Sequence, residues 1–206
     1  MYIPRSFAET NLTTLHEFIE RNSFGVLVSQ AEGHPFATHL PFILDRMAGP
    51  NGTLIGHVAR ANPHWHHVTN QKVLAMFSGP HAYISPTWYD AENVVPTWNY
   101  LAVHVYGQVT LIEDSSLLLD IVQRSVSVYE SSLPQPWSLD SSASYVKPLL
   151  DQIVGFRIEI AKIEGKFKLS QNHPVERREK VVAALHARGG EDAEAIASAM
   201  ERTLPQ

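Results

Sequence analysis

The sequence predicts a mainly β chain with helices at its periphery, a small barrel rather than a doubly wound sheet. Three observations predict it. Period-two alternation dominates the first half, the period changes to about 3.6 only near residue 115, and one more alternating strand precedes a helical tail. No glycine-rich turn joins a strand to a helix as a dinucleotide-binding fold requires. The composition, 44% apolar and 18% charged over 206 residues, is enough to fill one main core.

Taken in order, Leu12, Leu15, Phe18 and Ile19 recur at helical spacing, with Asn11 or Thr13 as the cap of a helix over 12–22. Val26, Leu27 and Val28 begin a strand, and Glu32-Gly33 marks a hairpin turn. Residues 36–44 form a second strand, which Pro41 assigns to an edge or a bulge. A third runs over 53–59, and Asn62-Pro63 caps and opens a helix. A fourth, 73–78, breaks at Gly79-Pro80, and His81–Ile84 resumes an extended course. A loop over 85–94 leads to a long strand at 100–112. Ser115 or Ser116 caps a helix over 117–129, and a short helix follows near 142–151. A last strand at 155–163 turns at Gly165 before Phe167-Lys168-Leu169. The tail, 174–203, is helical in two parts that Gly189-Gly190 divides.

Several classes are excluded. There is no cysteine, so disulfides, iron–sulfur clusters and thiolate zinc sites are absent. No apolar run is long enough to span a bilayer as a helix, and Met1-Tyr2-Ile3-Pro4-Arg5 lacks the order of a signal peptide, so no membrane association and a cytoplasmic address are expected. Sixteen basic against 21 acidic residues give a net charge of −5 without a dense basic tract, which argues against direct duplex DNA binding.

Four segments carry candidate chemistry. In His57-x-Ala59-Arg60-x-Asn62-Pro63-His64-Trp65, Arg60 at a strand end can grip a phosphate, and the helix start offers N–H groups to the same anion. The plainer reading is a solvated arginine and a capped helix. His64, His66 and His67 lack the four-residue spacing and the glutamate of a zincin pair, so no metal is expected. Gly79–Tyr89 and Pro96–Tyr100 set aromatic rings at strand ends, a surface suited to a flat conjugated ligand or simply to a core. In Lys166–Asn172, Lys168 can meet a phosphate as a point charge and Gln171 can bond a ring edge; the alternative is a solvent-facing basic pair. There is no G-x-S-x-G nucleophile elbow and no defensible carboxylate pair.

Together these segments resemble the PaiB-like family of FMN-binding negative transcriptional regulators. The matching pieces are Met1-Tyr2-Ile3-Pro4-x-Phe7, Thr38-His39-Leu40-Pro41, the His57–Trp65 block, Phe77–Pro86, Val95–Tyr100 and Phe167–Asn172, in one order over about residues 1–180. The resemblance implies an FMN-binding split β-barrel of the pyridoxamine-phosphate-oxidase-like kind, with peripheral and C-terminal helices. It further implies a homodimer with FMN at the subunit interface. The barrel domain would span 1–170 and a C-terminal helical extension 171–206. Carried over residue by residue, the cofactor site would include Thr38, His39, His57, Arg60, Asn62, Trp65, Tyr83, Trp98, Lys168 and Gln171, with Arg60 and Lys168 at the phosphate and Trp98 against the ring. Where family members continue with arginine after Gln-Asn, this chain has His173-Pro174-Val175-Glu176-Arg177-Arg178. Two other functions use the same barrel: a flavin-dependent oxidoreductase, or a haem-binding protein.

Overall fold

The computed structural model describes residues 1–69 and 71–205. Its strands are β1 (Ala8–Glu9), β2 (Phe24–Ala31), β3 (His34–Pro41), β4 (Ile43–Asp45), β5 (Thr53–Ala59), β6 (Lys72–Ile84), β7 (Thr97–Ile112) and β8 (Ile153–Lys168). Its helices are α1 (Leu12–Arg21), α2 (His64–Val68), α3 (Ser115–Glu130), α4 (Val146–Leu150), α5 (Val175–Arg188) and α6 (Glu191–Glu201). The chain divides into two compact units. The larger holds His16–Phe77 and His104–Ile163; the smaller holds Met1–Leu15, Ser78–Val103 and Glu164–Gln206.

In the larger unit the strands hydrogen-bond in the order β3-β2-β6-β7-β8-β5-β4. The hairpin between β2 and β3 turns at Glu32 and Gly33, both with positive φ (52° and 82°), as a two-residue primed turn demands. It closes an antiparallel register from Ala31↔His34 to Phe24↔Pro41. The single strand expected over 36–44 is two strands. At Phe42 the chain leaves β2, and Ile43 then pairs with Ile55 of β5. Phe42 is 1% exposed and meets Phe77 and Phe156 edge-on, with ring centroids 5.3 and 6.0 Å away. Each such buried ring contributes about 1.5–3 kcal/mol, so this trio fixes the change of partner. Gly107 of β7 allows a close crossing: a Cβ there would collide with the Glu159 carbonyl. The helix after β7 starts earlier than expected, with Asp114 as its cap. One carboxylate oxygen accepts from Ser116 N (2.9 Å) and Leu117 N (3.1 Å). Leu118 of α3 and Val146 and Leu150 of α4 form a satellite cluster.

In the smaller unit β1 pairs antiparallel with β8 at Ala8↔Lys166 and Glu9↔Gly165. The turn expected at Gly165 is therefore continuous strand. Glycine stands there because a Cβ would collide with Leu15. Nor does Gly79-Pro80 break β6. Its buried positions switch instead from odd (Val73, Ala75, Phe77) to even (Ala82, Ile84), so the dipeptide reverses which face points inward. The tail follows expectation. Gly189 and Gly190 take positive φ (65° and 93°) between α5 and α6, and Val181, Leu185, Ile196 and Met200 are buried.

Candidate cofactor site

The first group of expected site residues lies in the larger unit, where β5 ends and α2 begins. Arg60 is held on three sides. Its Nε donates to Asp151 O (2.9 Å), one Nη to Ile153 O (3.1 Å), and the other to the Glu113 carboxylate (2.9 Å). Trp65 Nε1 donates to Arg60 O (2.9 Å), and its ring centre lies 5.8 Å from the guanidinium. Asn62 Oδ1 accepts from His64 N (3.0 Å), while Asn62 Nδ2 donates to Thr38 Oγ1 (3.2 Å). The Asn62 side chain thus occupies an N–H at the helix start, and α2 has only five residues, so the anion role expected of that start gains no support.

His64 is the centre of this group. It is 1% exposed, with Nδ1 2.8 Å from Thr38 Oγ1 and Nε2 2.9 Å from Ser29 Oγ. Burial, and then the charge of His67, push its pKa down to about 4, so the imidazole is neutral. Both ring nitrogens are spent on hydroxyls. Ser29 and the buried role of His64 escaped the sequence reading, since nothing local connects Ser29 to a histidine 35 residues away. His57 sits in β5 opposite Gly155, and burial holds its pKa below the usual value. His39 is exposed on β3 and stacks with Phe24 at 6.4 Å. The structure therefore unites Thr38 with Asn62 and Arg60 with Trp65. His39 and His57 lie outside those hydrogen bonds.

The second group lies in the smaller unit. Trp98 is 52% exposed and Tyr83 39% exposed, with ring centroids 5.9 Å apart at 73°. His81 lies 5.9 Å from Trp98 on another side. Trp98 and His81 line two cavities. One, of about 580 Å³, is completed by Tyr83 and the α5–α6 corner; the other, of about 360 Å³, by Ser78, Gly79 and Tyr100–Ala102. Lys168 Nζ donates to Thr97 Oγ1 and to Trp98 O (2.6 Å). Burial, and then the charge of Lys166, lower its pKa. Lys166 is only 9% exposed, its ammonium between the rings of Tyr2 and Tyr100 at 5.5 and 5.3 Å. The amide of Gln171 is turned inward: Oε1 accepts from Leu169 N (2.7 Å) and Nε2 donates to Phe167 O (2.6 Å). It shapes the turn that follows β8.

A family model described as "Putative FMN-binding domain" matches residues 1–162. Protease synthase and sporulation protein PAI 2 of Bacillus subtilis is 38% identical over 206 residues, covering 99% of this chain and 98% of that protein. An uncharacterized protein of Aspergillus fumigatus is 29% identical over 252 residues, covering 98% of this chain and 97% of its own. Among solved structures, the flavocytochrome Anf3 from Azotobacter vinelandii matches with a TM-score of 0.61 at 15% identity, covering 81% of this chain and 72% of that one. The FAD and heme binding protein from Mycobacterium smegmatis matches at 0.58 and 13%, covering 89% and 80%. Identities this low carry the fold alone. That fold, β-rich and antiparallel with added helices, is the split barrel that the family resemblance implies. Among the described residues no helix is long and apolar enough to cross a membrane.

Proposed function

The chain belongs to the PaiB-like family whose domain is described as FMN-binding, and from that premise we propose that it holds FMN non-covalently, as a homodimer, and serves a regulatory role. The observation that carries the cofactor reading is Trp98. A half-exposed indole with a cavity beside it offers a stacking face for a flat ring, and Lys168 on its carbonyl puts a cation within the same corner. These residues fit the two chemical demands of FMN, a conjugated ring and a phosphate. Bound FMN would supply one- and two-electron redox chemistry, while the protein sets its position and electronics.

Two features of the larger unit support the other parts. Val26↔Met76 and Val28↔Leu74 pair directly across β2 and β6 on the face opposite the core, all half-buried, and a second copy is a natural cover for such an apolar sheet face. Thr38 of β3 joins Asn62 and His64 in a neutral hydrogen-bonded group, which does not favour acid–base turnover there. The regulatory role follows the likeness to PaiB-like regulators.

An absorption spectrum of the purified protein, with and without added FMN, tests the reading. Bands near ~370 and ~450 nm that stay with the protein are expected. A protein that ignores FMN, or one that carries a Soret band instead, overturns it. Light scattering should give twice the 23.0 kDa chain mass. Steady oxidation of reduced nicotinamide by the loaded protein would replace the regulatory part with an oxidoreductase.

A further inference from the structure

More than half of the large apolar side chains that the described residues expose belong to one stretch of the larger unit: α3, α4 and the loop between them. Leu117, Val128, Leu133, Trp137, Tyr145 and Leu149 are each about half exposed there. Apolar surface gathered in this way marks a site of contact. Part of it is a groove of about 420 Å³ between α3 and the loop. Val126, Pro136, Trp137 and Leu139 give the groove apolar walls, and Gln123, Ser127 and Glu130 line its α3 side. The groove is preformed. Trp137 N donates to the Glu130 carboxylate (2.7 Å), and Leu139 packs on the cluster of Leu118, Val146 and Leu150. Pro134 and Pro136 stiffen the loop ahead of these ties, and Asp140 closes the next turn by accepting from Ser142 N (2.9 Å). A wall that is already ordered loses little entropy when it binds.

Carboxylates frame this groove. Asp120 is exposed on α3 and, three residues before Gln123, shares the helix face that lines it. Glu130 lies in the lining itself, and Asp140 directly follows Leu139. Among the described residues no cation lies within ion-pair distance of these three. Hydrogen bonds from the Ser142 hydroxyl and backbone hold Asp140 below its ordinary pKa, so it is ionised at neutral pH. Such a rim selects among occupants. Nucleic acid and anionic lipid surfaces carry the same sign of charge and are repelled. A second copy meeting this one through the same face would set the three carboxylates against themselves. A partner that is apolar on one side and basic beside it satisfies both the walls and the rim. A helix presents that pattern, with anchors at i, i+4 and cations on its flanks.

We propose that the groove between α3 and the loop that follows it docks a basic amphipathic helix of another protein. Its apolar anchors lie against Val126, Pro136 and Trp137, and its lysines or arginines meet Asp120, Glu130 and Asp140. The surface requires neither bound FMN nor contact with DNA, so it stands or falls apart from the cofactor reading.

Fluorescence anisotropy on the full-length protein tests it. The probe is a labelled synthetic peptide of about 15 residues, with leucines on one helical face and lysines on the other. Saturable binding is expected, with a Kd on the order of 10 μM that weakens several-fold as salt is raised. The same peptide with glutamate for every lysine, and a scramble that spreads the leucines around the helix, should each bind at least about tenfold more weakly. Trp137→Ala should weaken the basic peptide about tenfold. Asp120→Lys, at an exposed position that leaves the groove walls intact, should weaken it by about the same factor and reduce the salt dependence. Both variants should leave circular dichroism and any flavin binding as in the wild type. Absence of saturable binding overturns the proposal, and so does binding that fails to separate the basic peptide from its scramble or its acidic analogue. So does an affinity that either variant leaves unchanged. A lower mass of Trp137→Ala in light scattering would make the groove a contact between copies of this chain, and would overturn it equally.

Discussion

Arg60 and Lys168 look alike in the sequence, each a cation near the end of a strand that can meet a phosphate. The structure treats them oppositely. The Arg60 guanidinium is closed off by two backbone carbonyls and the Glu113 carboxylate. Among the described residues Lys168 meets two neutral oxygens and the Phe7 ring, with a second lysine on its own face and no carboxylate. The histidines nearby repeat the contrast. His64, near Arg60 in the chain, is kept neutral chiefly by burial and both of its nitrogens are satisfied. His173 is held down by burial and then by the charges of Arg177 and Lys168, and no described residue hydrogen-bonds its ring. A cation's residue type therefore says little about ligand binding; the presence or absence of its counter-ion says more. The first corner satisfies its cation within the chain, whereas the second is where we propose that the cofactor phosphate is met.

The largest effect is expected at His64. Its pKa is about 4 in the folded protein against an ordinary value of 6.5. The unfolded chain therefore takes up a proton between those values that the folded protein refuses. Stability from this group is complete above pH 6.5, falls as the pH drops toward 4, and is flat below. The loss should approach about 3 kcal/mol. Denaturant unfolding at pH 7, 5 and 4, with wild type compared with His64→Gln, isolates it. Equal slopes in the two proteins would show that the first corner is not the closed, neutral structure described here.

The direct comparison comes next. Lys168→Gln should lower FMN affinity about 30-fold, roughly 2 kcal/mol, with riboflavin changed by less than about threefold. Arg60→Gln should do the reverse: stability falls by about 1–2 kcal/mol as the hydrogen bonds to Asp151 and Ile153 are lost, and FMN and riboflavin weaken together if at all. Fluorescence titration and urea unfolding report the two quantities. A selective loss of FMN in the Arg60 variant would instead support the phosphate role that the sequence suggested for it.

Much of the fold was legible because its chemistry is local. Glu32-Gly33 and Gly189-Gly190 announce turns in whatever context they stand. Where the sequence misled, a distant partner had decided. Gly79-Pro80 reads as a stop, yet the strand continues and only its inward face changes. Nothing near Phe42 reveals that the chain must switch there from β2 to β5. The site divides in the same way. Residue types pointed to the Arg60 and Lys168 corners, but the carboxylate and carbonyls that close off Arg60 lie 53 to 93 residues away. The want of a carboxylate at Lys168 is likewise a property of the folded chain.

A third histidine sharpens the contrast by carrying the opposite sign. His186 Nδ1 lies 2.7 Å from Glu194 and Nε2 3.1 Å from Glu201. Those glutamates are seven residues apart, two turns along α6, and so share one of its faces. A neutral imidazole donates only one N–H, so the full clamp needs the imidazolium, and the hydrogen bonds to Glu201 and then Glu194 raise the His186 pKa. Its contribution is complete below the ordinary pKa of 6.5 and is lost as the pH rises through the raised one. Because the pair is exposed, the effect should be the smallest of the three and should shrink further in high salt. Comparing wild type with His186→Gln at pH 6 and 9 should show a gap in unfolding midpoint at the lower pH that closes at the higher. A gap equal at both pH values would mean that packing of Leu185 and its neighbours, not the ion pairs, holds α5 to α6.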